Sequence, residues 1–115
     1  WMLHKCLQAA DRVAAEGIFP EVVDLRSLAP LDTEAILASV RRTGKALIAY
    51  EANRTGGVGA EVAARIAEAA FEDLDGPIVR VASADTPVPH SPVLEAAFQP
   101  QVDDLAAAMR RLAAY

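Results

Sequence analysis

"KALIAYEANRTGGVGAEVAARIAEAAF", Lys45 to Phe71, is the stretch that decides the fold. Ala46 to Tyr50 is apolar on both faces, as a strand buried between two layers must be. Val58, Val62, Ile66 and Ala70 then recur at helical spacing and predict an amphipathic helix. Between the two lie Gly56, Gly57 and Gly59, three glycines in four residues. A glycine-rich turn from a strand into a helix N-terminus is a common phosphate cradle, so the loop raises the question of a nucleotide site. Its details argue against one. A P-loop needs Lys and Ser or Thr after its last glycine, whereas Ala60 and Glu61 follow Gly59. The dinucleotide pattern G-x-G-x-x-G/A fails at Val62, and Glu61 sets a negative charge in the helix's first turn, where it repels phosphate. The glycines are better read as permitting a tight backbone path and close approach of a neighbour.

Outward from this unit the same alternation continues. Leu3, Cys6, Leu7, Ala10, Val13 and Ala14 predict a helix over 2–16 closed by Gly17. Glu21 to Leu25 reads as a short strand. Asp32 caps a helix over 33–42 that Gly44 ends. After the Asp75–Gly76–Pro77 turn, Ile78 to Ala82 reads as a third strand. A loop carrying Pro87, Pro89 and Pro92 leads to a short helix near 93–98, which Pro100 breaks. Val102, Leu105, Ala106, Met109 and Leu112 mark a final helix over 102–113. Short strands separated by helices imply right-handed crossovers and a mostly parallel sheet covered on both faces. The expected fold is therefore a single three-layer α/β/α domain over residues 1–115. The chain opens on a helix where a doubly wound sheet would open on a strand. The expectation is a domain truncated at its N-terminus, lacking its first strands and leaving strand edges and helix faces to be covered by a partner.

Composition narrows the function classes. Eleven Lys and Arg stand against sixteen Asp and Glu, for a net charge of -5. The basic residues are scattered except for Arg41 with Arg42 and Arg110 with Arg111, near helix ends where they complement the dipole. Nucleic acid is not the expected partner, since phosphate neutralisation needs clustered cations. No apolar run approaches a membrane span, so no membrane partner is expected either. Cys6, the one cysteine, allows no internal disulfide or thiolate cluster and reads as a small core residue. A reducing setting is expected, cytoplasmic or, in a eukaryote, the mitochondrial matrix.

No catalytic set emerges from the side chains. Glu51, Asn53 and Arg54 follow the C-terminal end of a parallel strand, where open α/β sheets keep their sites. They could bind a carboxylate, pair locally or reach across a subunit interface. His4 falls opposite the apolar stripe of its helix. His90 has Asp85, Thr86 and Ser91 near it in sequence, but residues so close along the chain rarely reach triad geometry, and no nucleophile elbow is present. The histidines and the cysteine have no metal-ligand spacing. A scaffold or assembly module is the expectation.

With these motifs in order, from "MLHKCLQAADRVAAEG" through "VVDLRSLAPLD" and "TGGVGAEVA" to "DTPVPHSPVLEAAFQP" and a helix ending in an aromatic, the chain resembles one family end to end. It is similar to the carboxy-terminal, transketolase-C-terminal-type domain of the beta subunit of thiamine-diphosphate-dependent 2-oxoacid dehydrogenases, of pyruvate, branched-chain or acetoin type. The resemblance implies a five-stranded, mostly parallel sheet with two strands preceding Trp1. It implies that thiamine diphosphate and Mg²⁺ belong to the complete enzyme, between the alpha subunit and the beta subunit's amino-terminal domain. No cofactor or metal is then expected on this domain. Its implied role is assembly: beta packs on beta and on alpha, and the domain offers a surface to the peripheral subunit-binding domain of the acyltransferase core. Carried over residue by residue, Arg54, Gly56, Gly57 and Gly59 fall in the loop with a packing and subunit-contact role. Asp75 matches a position near the docking surface, and Tyr115 the aromatic end near the subunit dyad. An acidic surface suits a basic docking domain. His90 stands where relatives commonly carry an aromatic, so no catalytic role transfers to it. Two rival readings remain: the same domain in a single-chain transketolase-like transferase, and an independent flavodoxin-like module for a small ligand.

Overall fold

In the computed structural model, which describes residues 1–115, two parallel strands lie at the centre: β1, Leu47–Asn53, and β2, Val79–Ser83. Leu47 stands opposite Val79 and Asn53 opposite Ser83, with an irregularity after Ala49. The helices are α1 (Met2–Ala14), α2 (Thr33–Thr43), α3 (Val58–Ala69), α4 (Pro92–Phe98) and α5 (Val102–Ala113).

Side chains alternate across a strand, and that period sorts the core into two clusters. Ala46 and Ile48 join Ile36, Leu37 and Val40 of α2 and Val62 and Ile66 of α3 on one face. Leu47, Ala49 and Val81 join Ala9 and Val13 of α1 and Leu105, Ala106 and Met109 of α5 on the other. The expected three layers are therefore present, with helices on both faces of a parallel sheet.

Local chemistry explains the helix limits. The Asp32 carboxylate accepts from Ala35 N–H at 3.0 Å and starts α2, and Gly44, at φ +68°, ends it in the left-handed region that glycine adopts without strain. Asp104 Oδ2 reaches back to Gln101 N–H at 2.8 Å at the start of α5. The pairing of α5 with α1 is apolar inside and clasped outside by Arg110 with Glu16 and Arg12 with Asp103. These ion pairs are exposed and contribute little beyond fixing register.

The strand expected over Glu21 to Leu25 does not form, so the sheet has two strands where the sequence suggests three. Ile18 to Leu25 runs without turn or bend, but a strand is defined by the ladder it shares, and this stretch pairs with no neighbour. An apolar cavity of about 330 Å³ separates it from β1, lined by Phe19, Val22 and Leu25 on one side and Ala46 to Ala49 on the other. The first helix also ends two residues early, at Ala14, with Gly17 (φ +81°) turning the chain just beyond it.

Candidate functional site

The residues singled out by sequence divide between the two ends of the sheet. Glu51, Asn53, Arg54 and the glycine loop lie at the C-terminal end of β1; Asp75 lies before β2, at the opposite end, and Tyr115 is seated beside it.

At the C-terminal end the glycine loop is filled from inside by Tyr50. A Cβ on Gly59 would stand 2.6 Å from Tyr50 Cζ, and one on Gly57 would stand 2.6 Å from Tyr50 Cε2. The ring, only 8% exposed, occupies the hollow that a phosphate would need. Gly56 is needed for a different reason: nothing lies within 4 Å of its missing side chain, but its φ is +73°. The loop is a packing device, and its chemistry does not fit the pyrophosphate of a nucleotide or of thiamine diphosphate.

A polar clamp holds the loop in place. The Tyr50 hydroxyl donates to Arg54 O at 3.3 Å and accepts from Arg80 Nη1 at 3.2 Å. Arg80 Nη1 also donates to Arg54 O at 3.0 Å, while Arg54 Nη1 donates to Arg80 O at 2.8 Å. Each arginine thus secures the other's backbone across the β1–β2 pair. Asp85 accepts from Thr55 N–H at 2.8 Å and from Thr55 Oγ1 at 2.7 Å. These two bonds, and more weakly the Arg54 charge, hold its carboxyl below the usual carboxylate range. Sequence reasoning found Arg54 and the loop that begins at Thr55 but missed Arg80. The signal for Arg80 was a charged residue at an inward position of a strand otherwise apolar.

Asp85 is therefore occupied by Thr55 and forms no triad with His90 and Ser91. No group of three His, Cys, Asp or Glu side chains is placed to hold a metal ion. Cys6 is half-buried, and burial pushes its thiol pKa up. Lys5 is only 8% exposed and donates to Pro100 O at 2.7 Å, with its ammonium 5.6 Å from the Trp1 ring centre.

At the other end Asp75 N–H donates to Gly44 O at 2.7 Å, and a Cβ on Gly44 would stand 2.9 Å from Asp75 Cγ. Gly76 lies under Tyr115, whose Cβ is 3.2 Å from the position a side chain would take. Asp75 forms no ion pair and Tyr115 is 70% exposed.

The fold is an α/β domain with helices on both faces of a parallel sheet. The chain belongs to the transketolase C-terminal domain family, whose profile matches residues 1–105. It is 44% identical over 110 residues to the mitochondrial pyruvate dehydrogenase E1 component subunit beta-2 of Oryza sativa subsp. japonica, covering 96% of this chain and 29% of that protein. It is 45% identical over 114 residues to the 2-oxoisovalerate dehydrogenase subunit beta of Bacillus subtilis, covering 98% and 35%. Identity is 41% over 110 residues to the acetoin:2,6-dichlorophenolindophenol oxidoreductase subunit beta of Cupriavidus necator, covering 96% and 32%. The solved structure of a split-gene transketolase, an inactive beta4 tetramer, superimposes with a TM-score of 0.80 at 34% identity, covering 96% of this chain and 34% of that one. The chain thus spans about a third of the length of these relatives. Its relatives are E1 beta subunits of 2-oxoacid dehydrogenases, and the expected fold class and family both stand.

Proposed function

We propose that residues 1–115 are the assembly and partner-docking domain of the beta subunit of a 2-oxoacid or acetoin dehydrogenase decarboxylase component. The complete enzyme carries out oxidative decarboxylation and passes the acyl group to lipoamide. The observation that carries this reading is similarity along nearly the whole chain to beta subunits of such enzymes, in a domain whose conspicuous loop is spent on packing. Thiamine diphosphate and Mg²⁺ serve that enzyme from elsewhere. The cofactor supplies the electron sink for decarboxylation, and this domain's residues hold subunits in place.

Two contacts are assigned. Asp75 and Tyr115 present a carboxylate and an aromatic to a basic peripheral subunit-binding domain, with charge setting encounter and orientation. Arg54, Gly56, Gly57 and Gly59 form a rigid corner at the other end that meets a neighbouring alpha or beta subunit. Rigidity matters because a surface already ordered loses less entropy on association. The enzyme works in the cytoplasm or, in a eukaryote, in the mitochondrial matrix.

Light scattering after size exclusion tests this on the chain alone and mixed with a peripheral subunit-binding domain. A dimer that takes up the domain supports the reading. A monomer that ignores it sinks the docking role and favours an independent module. The structural neighbour keeps one rival in view, a transketolase-like transferase. A sugar phosphate that slows hydrogen exchange at Arg54 and Arg80 would favour that rival.

A further inference from the structure

β2 carries a charge where its pattern calls for an apolar residue. The run Ile78–Val79–Arg80–Val81–Ala82 is apolar and mostly β-branched except at Arg80. Arg80 stands opposite Ile48 and shares its inward face, where it donates to the Tyr50 hydroxyl. β2 pairs with β1 alone, and Val79 to Ala82 stay half-buried in a sheet covered on both faces. A strand with β-branched residues and free backbone groups along one side is a template for another strand. A charge turned inward on such an edge is one of the devices that prevent the pairing.

The register shows which backbone groups lie on the outer side. Val79 N–H donates to Ala46 O at 3.0 Å, so Val79 and Val81 spend their backbone groups on β1 while Arg80 and Ala82 turn theirs outward. Just beyond the strand, Ala84 N–H donates to Phe98 O at 3.3 Å and closes that end of the edge. The outward carbonyl of Arg80 is also taken: it accepts from Arg54 Nη1 at 2.8 Å. No bond outside the ladder reaches Arg80 N–H or Ala82 N–H.

We infer that Arg54 and Arg80 guard the outer edge of β2 against pairing with the same edge of a second copy. Two copies related by a two-fold axis would pair Ile78–Ala82 antiparallel to itself. With the axis at Arg80, the two arginine side chains stand directly opposite each other, a like-charge pair that disfavours the ladder. With the axis at Val81, Arg80 stands opposite Ala82 and the charges separate. Ala82 N–H must then donate to Arg80 O, which Arg54 occupies. Arg80 closes the first register and Arg54 the second, and the bond from Arg80 Nη1 to Arg54 O holds the two together. The guard stands or fails independently of docking at Asp75 and Tyr115.

Sedimentation velocity over a concentration series, read with hydrogen exchange at Arg80 and Ala82, tests the guard on the chain. Arg54→Met removes the cap and keeps an apolar stem. It should lower the concentration of half-association by about tenfold or more, with exchange at both amides slowing as concentration rises. Arg54→Lys keeps a donor for Arg80 O and should stay within about threefold of the parent. Adding Ala82→Pro to Arg54→Met removes an outward N–H where an edge strand tolerates proline, and should abolish the gain. Association unchanged in Arg54→Met, undiminished by Ala82→Pro, or gained without protection of the two amides would overturn the inference. So would a parent chain whose Arg80 and Ala82 amides become protected as it is concentrated, a measurement that depends on no variant.

Discussion

The ring of Tyr50 fills the space that a side chain on Gly59 would need: the two residues, one near the middle of β1 and one in the first turn of α3, are in contact because one of them has no Cβ. This contact turns a sequence that resembles a ligand loop into a packing joint. Gly59→Ala should destabilise the chain by about 1–3 kcal/mol, the cost of overpacking, even though alanine is the better helix former. Urea unfolding measures it. Tyr50→Leu, which empties part of the hollow, should reduce the penalty in the double variant. Additive losses would mean the ring can move aside.

Tyr50→Phe keeps the ring and removes the hydroxyl between Arg54 O and Arg80 Nη1. The expected loss is about 1 kcal/mol, the net worth of a hydrogen bond in a partly buried network. Hydrogen exchange at Thr55 and Gly56 should quicken, since the clamp holds their loop. A variant with unchanged exchange would assign the loop's order to packing alone.

Asp85 makes the same loop sensitive to acid. Its folded-state pKa is lowered, chiefly by the Thr55 backbone and side-chain bonds. Its contribution is therefore present above the ordinary aspartate pKa and lost as pH falls through the depressed one. Glu16, lowered by its bond to Arg110, acts in the same direction between α1 and α5. The wild type should exceed Asp85→Ala in stability near neutral pH, and the gap should close in acid. A gap independent of pH would show that the carboxylate's charge is irrelevant.

Ser83 is 1% exposed, and its hydroxyl has no hydrogen-bond partner. Burying an unpaired hydroxyl costs free energy, so Ser83→Ala should be neutral or stabilising by up to about 2 kcal/mol. A clear loss of stability would point to a bound water at that site.

Cys6 should react slowly with iodoacetamide near pH 8. Burial both raises its pKa and limits access, and the thiolate is the nucleophile. The rate should rise steeply in urea through the unfolding transition.

The layers were legible in the sequence because they rest on period. Val62 and Ile66 announce the buried face of α3, and Asp32 and Gly44 announce both ends of α2. The strand over 21–25 was not, because its apolar residues speak only for burial, while a strand also needs a neighbour to bond. The glycine loop was legible by elimination, from mismatches at Ala60, Glu61 and Val62. Its filler was not, since Tyr50 lies in the preceding strand and nothing in the spacing shows which way its ring turns. Arg80 was passed over for a similar reason: its partners are the backbone of Arg54 and a hydroxyl thirty residues away, contacts that only the register of two strands creates.

The central claim is that this domain joins partners and leaves chemistry to others. It is tested most directly in a complete alpha–beta enzyme carrying Asp75→Asn with Tyr115→Ala. The first removes charge while keeping the shape that packs over Gly44, and the second removes the exposed ring. Affinity for the peripheral subunit-binding domain, by calorimetry, should fall tenfold or more, while decarboxylation with an artificial electron acceptor stays within twofold of the parent. Equal losses in both, or full affinity retained, would contradict the account.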